Sequence, residues 1–95
     1  MSQSRIKIRI ITPGKVLFDG EASQVAIPSV DGALGILPGH RPLVIALGSG
    51  EVVCQRGNGE DKFPVHGGYA DVEKYTVTLY TNQGLEENGM NNDSG

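Results

Sequence analysis

Arg5-Ile6-Lys7-Ile8-Arg9-Ile10 sets three isoleucines on one side of an extended chain and three cations on the other. That period-two alternation is the pattern of an antiparallel strand with one face buried and one solvated. Tyr75-Thr76-Val77-Thr78-Leu79-Tyr80 repeats it with β-branched and aromatic residues. Between the two, Val25 with Ile27, the run Leu43 to Leu47, Val52 to Cys54, and Phe63 with Val65 supply further strand candidates. The stretch Tyr69 to Thr81 lacks Gly and Pro and is long enough for a helix. Its alternation and β-branching instead predict two strands turning at Glu73-Lys74.

Turn signals punctuate these segments at Pro13-Gly14, Asp19-Gly20, Asp31-Gly32, Pro38-Gly39, Gly48-Ser49-Gly50, Gly57-Asn58-Gly59 and Gly67-Gly68. Their spacing is close to the roughly eight-to-twelve-residue rhythm of a β-sandwich or small barrel. The reading is an all-β core. After Asn82 the pattern stops: residues 83–95 contain Leu85 and Met90 but no apolar period. Such a segment buries too little surface to offset its ordering entropy, so a disordered polar tail is expected there. With a flexible N-terminus over residues 1–4, the folded domain is expected to span 5–82.

Ninety-five residues make one domain. Eight basic against eleven acidic side chains give a net charge of −3, which argues against a nucleic-acid binder. A single cysteine, Cys54, excludes an internal disulfide and most cysteine-based zinc sites. No apolar run is long enough to cross a membrane, and Met1-Ser2-Gln3-Ser4 opens no apolar signal region. A cytoplasmic start without direct membrane insertion is the expectation.

No catalytic constellation emerges. His40 follows a Pro-Gly turn and His66 precedes a Gly-Gly pair, neither with an acidic or metal-ligating cluster nearby. Cys54 lies inside an apolar strand pattern, where a thiol is buried and inert. The glycine-rich run Gly32 to His40 is followed by no Gly-Lys-Ser/Thr, and Pro38 and Pro42 prevent it from opening a helix. A phosphate-binding loop needs that helix N-terminus, so no nucleotide is expected to bind. The cationic face Arg5/Lys7/Arg9 reads as solvated or as docking on an acidic partner. Stacking platforms for nucleic acid or sugar are scarce, because several of the tyrosines are assigned to the core. The run Leu43-Val44-Ile45-Ala46-Leu47 has no polar position and is expected to need cover on both faces, one of them from the core or from another chain.

Asp31-Gly32-Ala33-Leu34-Gly35-Ile36-Leu37-Pro38-Gly39-His40-Arg41-Pro42-Leu43 closely resembles the signature of the epsilon subunit of F-type ATP synthases. Val16 to Gly20 resembles that family's early Phe-x-Gly turn, Phe63 to Val72 its Gly-Gly hairpin, and Val77 to Leu79 its last strand. The resemblance implies a ten-stranded flattened β-sandwich or barrel, mostly antiparallel. It implies a non-catalytic rotor subunit that binds the gamma subunit and the c-ring and couples ion translocation to ATP synthesis. It implies no cofactor and no metal. Its implied place is the cytoplasmic side of the bacterial inner membrane. Carried over by position, the gamma-facing residues are Thr12, His40, Arg41 and Ile45. The ring-facing turn is Ser29, Val30, Asp31, Gly32, Ala33 and Leu34. Ala33 stands where many family members carry Glu, which removes a charge from that turn. No helical period follows Asn82, so the C-terminal inhibitory helices of most epsilon subunits are not expected. The rival readings are a stand-alone β-sandwich binding a peptide or small ligand, and a small enzyme using His40.

Overall fold

The computed structural model describes residues 5–82, all of them in strands or short connections. The expected flexible residues 1–4 and the polar tail 83–95 lie outside the described residues. Nine strands follow one another: β1 (Ile6–Thr12), β2 (Lys15–Ala22), β3 (Gln24–Ser29), β4 (Gly32–Ile36), β5 (Leu43–Ala46), β6 (Ser49–Arg56), β7 (Gly59–His66), β8 (Gly68–Val72) and β9 (Thr76–Thr81). Two sheets face each other, one ordered β2-β1-β9-β8-β5 and the other β4-β3-β6-β7. Every pairing is antiparallel except β1 with β9, which run parallel.

The alternation in β1 is realised as burial. Ile6, Ile8, Ile10 and Thr12 point inward while Lys7 is exposed and Arg9 and Ile11 are half-buried. In β9, Val77, Leu79 and Thr81 point inward. These residues meet Val25, Ile27, Val52 and Cys54 from the opposite sheet in one core, each of the four fully buried. One long seam between the sheets is closed by Phe18 against Phe63, with ring centroids 4.6 Å apart, and by the Arg56 guanidinium 5.5 Å from the Phe18 ring. The turn expected at Glu73-Lys74 joins β8 to β9.

Four expectations change. Nine strands stand among the described residues rather than ten; Leu47, next after β5, pairs with Ser29 through an isolated bridge. Asp19-Gly20, read as a turn and as part of a Phe-x-Gly turn, lies inside β2, opposite Arg9 and Ile8. Gly20 serves packing there, since a Cβ would sit 2.8 Å from the Phe18 ring. The Gly-Gly segment is not a hairpin: β7 and β8 belong to different sheets, and Gly67 carries the chain from one to the other. Its N–H donates to the Gly48 carbonyl at 3.2 Å, where β5 gives way to β6 in a second crossing. Finally, within this chain β5 is an edge strand rather than a central core strand, covered on one face only: Ile45 is buried and Val44 is 68% exposed.

Candidate functional site

Among the described residues no group of three His, Cys, Asp or Glu side chains could hold a metal ion. Ser49 and His66 face each other across β6 and β7, with Ser49 Oγ 2.6 Å from His66 Nδ1. Among the described residues no carboxylate orients that ring, so the pair is a cross-strand contact. Burial pushes the Cys54 thiol up to about 11, aided by the nearby Asp61 carboxylate and opposed by Arg56. The native state therefore holds its thiol proton to higher pH than the unfolded chain does. Stability should be unaffected below the unfolded value near 9, and should fall by about 2 kcal/mol as pH rises from there to 11. Urea melts of the parent and of Cys54→Ala across that window check it; the variant should lose this slope.

What the chain does present is surface. Ser29 to Leu34 form the β3–β4 turn and the start of β4, closed where Ser29 Oγ donates to the Gly32 carbonyl at 2.7 Å and accepts from the Asp31 N–H at 3.0 Å. Gly32 has φ +120°, a conformation that other residues rarely adopt. The turn holds Val30 out at 65% exposure. Val30 N–H donates to the Ala46 carbonyl at 3.0 Å, so turn and β5 share one concavity of about 360 Å³ lined in part by Val30, Leu34, Leu43 and Val44.

His40 and Arg41 lie at the opposite end of the sandwich, in the β4–β5 connection. There Gly39 N–H donates to the Lys74 carbonyl at 2.7 Å, pinning the connection to the β8–β9 turn. His40 Nδ1 lies 2.8 Å from the Arg41 carbonyl, and Arg41 is exposed. Thr12 is buried at 7% exposure, near the end that carries Ser29 to Leu34. Ile45 is buried at 6%, so the side chain that β5 offers outward is its neighbour Val44. The sequence-derived residues thus fall at two ends of the sandwich, with β5 along the edge of the five-stranded sheet.

Between those ends the outer face carries a feature not singled out from sequence. Val16, Ile11, Tyr80, Tyr69 and Ala46 stand in register across all five strands. Tyr69 is 49% and Tyr80 39% exposed, with ring centroids 5.0 Å apart. Two of the three tyrosines thus face outward rather than filling the core. Beside them lies a concavity of about 350 Å³ lined by Ile11, Thr12, Pro13, Tyr69 and Tyr80 among others. The clue lay in strand phase, since Tyr80 follows inward Leu79 and Ile11 follows inward Ile10. The cationic face of β1 is partly neutralised by β2: Arg5 reaches Glu21 at 3.7 Å and Arg9 reaches Asp19 at 3.5 Å.

Residues 5–87 match the family model of the ATP synthase delta/epsilon chain β-sandwich domain. The chain is 43% identical over 77 residues to the ATP synthase epsilon chain of Gloeothece citriformis, covering 81% of this chain and 56% of that one. It is 33% identical over 84 residues to the ATP synthase epsilon chain of Leptospira interrogans, covering 88% and 66%. It therefore spans between about half and two thirds of the length of these relatives. Among solved structures, a chain of the Euglena gracilis mitochondrial ATP synthase OSCP/F1/c-ring assembly superposes with TM-score 0.77 at 22% identity, covering 83% of this chain and 51% of that one. A chain of the Tetrahymena thermophila mitochondrial ATP synthase central stalk and c-ring gives 0.64 at 14%, covering 97% and 81%. At those identities the likeness is one of fold.

Proposed function

The chain belongs to the ATP synthase delta/epsilon β-sandwich family, and on that premise we propose that it is a non-catalytic rotor subunit of an F-type ATP synthase. It links the gamma subunit to the c-ring and carries torque between them, so that ion flow drives ATP synthesis on other subunits. It sits peripherally on the cytoplasmic side of a bacterial inner membrane, held there by its partners. The observation that carries this reading is the placement of the signature turn. Ser29 to Leu34 close one end of the sandwich with Val30 projecting, beside a sheet face that bears an apolar stripe. An end and a face are two separate docks, which suits a link between two partners. The close-packed core between them suits torque transfer, since it deforms little under load.

On this reading the end takes the c-ring through Ser29, Val30, Asp31, Gly32, Ala33 and Leu34. The face takes gamma, with Thr12 near one end of it, His40 and Arg41 at the other, and the strand of Ile45 at its edge, where Val44 makes the contact. The exposed tyrosines add the central anchors. Calorimetric titration of the full chain with the gamma subunit from its own operon, at physiological salt, tests the reading. One-to-one binding with a negative heat-capacity change is expected, the mark of apolar burial. Tyr69→Ala and His40→Ala should each weaken binding by about 1–2 kcal/mol, roughly tenfold. Two folded proteins that fail to bind would overturn the reading.

A further inference from the structure

We propose that the mouth of the sandwich at the β2–β3 crossing is an anion site, which takes the phosphate group of a small phosphorylated molecule between Arg5 and Arg56. None of the residues assigned above to gamma or to the c-ring lines it, and its occupation depends on neither partner.

β6 starts beside the Ser29 to Leu34 turn, where Gly48 N–H donates to the Pro28 carbonyl at 2.9 Å, and Arg56 ends it at the opposite pole of the sandwich. At that pole the chain passes from β2 in one sheet to β3 in the other through Ser23, whose N–H donates to the Gln55 carbonyl at 2.8 Å. The crossing leaves an open cavity of about 800 Å³ lined by Arg5, Glu21, Ala22, Ser23, Arg56 and Gly57. Arg5 immediately precedes β1 in the five-stranded sheet, and Arg56 closes β6 in the four-stranded one. Each sheet thus brings one arginine to the cavity.

Both side chains keep donors to spare. Arg5 Nη1 stands 3.7 Å from Glu21 Oε1, too far for a hydrogen bond, and the side chain is 67% exposed. Arg56 Nη1 donates to Asp61 Oδ2 at 2.7 Å, and its guanidinium lies 5.5 Å from the Phe18 ring centroid. Those contacts fix the planar group while taking one of its several N–H donors, since stacking takes none. Arg56 is therefore preorganised, and Arg5 is free to close on a ligand. The Ser23 hydroxyl gives its proton to the Gln55 carbonyl at 3.2 Å and adds no donor. Forked N–H pairs match the oxygens of a phosphate group, whose charge offsets the two cations. Glu21 and Asp61 keep the surroundings close to neutral, so recognition comes from the fork geometry rather than from net charge, and chloride is a poor substitute. The space falls within the range of roughly 300–1,000 Å³ of small-molecule sites, which leaves room for an organic remainder beside the phosphate. A bound anion ties the two sheets together at this pole and stabilises the fold by mass action.

Amide NMR of the full chain tests the site, with inorganic phosphate and ribose 5-phosphate titrated against sodium chloride of equal ionic strength. Both phosphates should give saturable shifts at Arg5, Ser23, Arg56 and Gly57 and raise the Tm, and the sugar phosphate should bind the more tightly. Arg5→Gln, an exposed change that should melt like the parent, should weaken both by roughly tenfold. Arg56→Lys keeps the charge and loses the fork, and should weaken both severalfold. Glu21→Gln removes the competitor for Arg5 and should tighten binding. Glu51→Gln makes the same change of net charge at an exposed position of β6 and should leave affinity as in the parent. Shifts that do not saturate, that chloride reproduces, or that persist unchanged in Arg5→Gln overturn the site. Equal tightening by Glu21→Gln and Glu51→Gln overturns it too, as the mark of nonspecific charge. Equal affinity for the two probes would overturn the phosphorylated molecule as occupant in favour of the free ion.

Discussion

Gly68→Ala is expected to yield a chain with no cooperative unfolding transition. Gly68 opens β8 directly after the sheet crossing and sits at φ +100°. A methyl group there would drive into the Tyr80 carbonyl oxygen, 2.9 Å from the Tyr80 carbonyl carbon and 2.8 Å from Thr81 Cα. None of these atoms can yield, because they belong to the backbone of β9, which is paired with β1 on one side and β8 on the other. Backbone strain and overlap together should cost more than about 4 kcal/mol, out of a total that is about 5–15 kcal/mol for such a domain. Gly35→Ala is the matched control. A Cβ at Gly35 meets nothing within 4 Å, and that variant should melt close to the parent. Thermal and urea unfolding followed by circular dichroism separate the two. A Gly68→Ala protein melting like the parent would show that β8 and β9 do not approach this closely.

Leu79→Ala carries the second-largest expected effect, a loss of about 3 kcal/mol within the usual range of about 2–5 for burying an empty volume. Leu79 is fully buried at the middle of β9, with Ile10 and Ala70 opposite it on the two flanking strands. Ala70 is too small to fill the gap, and Ile10 is held in place by its own strand pairing. The contrast is Val44→Ala, where the side chain is already 68% exposed and the change should fall within about 0.5 kcal/mol. Urea midpoints at constant slope report both. Equal midpoints for the two variants would contradict the assignment of Leu79 to the core.

The central strands were legible because their burial follows the alternation of their side chains. The isoleucines of β1 and the Val77, Leu79 pair of β9 read correctly from spacing alone, and so did the turn between β8 and β9. Two strands carried no such signal. β2 and β4 are edge strands that each bury little, as their exposed and half-buried patterns show, and Gly20, Gly32 and Gly35 within them look like turns. The uniform run Leu43 to Leu47 gives no phase, so sequence alone could not decide between Val44 and Ile45 as the outward side chain. The charge on β1 was legible but its partners were not, because Arg9 meets Asp19 only once the β1–β2 register is set. For the same reason the tyrosine stripe was hidden, since it is assembled from five strands and local spacing reports one strand at a time.

The parallel pairing of β1 with β9 ties protein synthesis to folding. Without β9 the five-stranded sheet is two unjoined pieces, β2 with β1 and β8 with β5. Among the described strands a ribosome makes β1 first and β9 last. Until Thr76 to Thr81 have emerged, Ile8 and Ile10 have no neighbour on their open side. The nascent chain must therefore keep an apolar strand edge from other chains until the last strand of the sheet has emerged. The five-stranded sheet then closes late, by pairing the first described strand with the last, the kind of long-range contact that slows folding. Premature termination before β9 would release an open-edged fragment destined for proteolysis or aggregation.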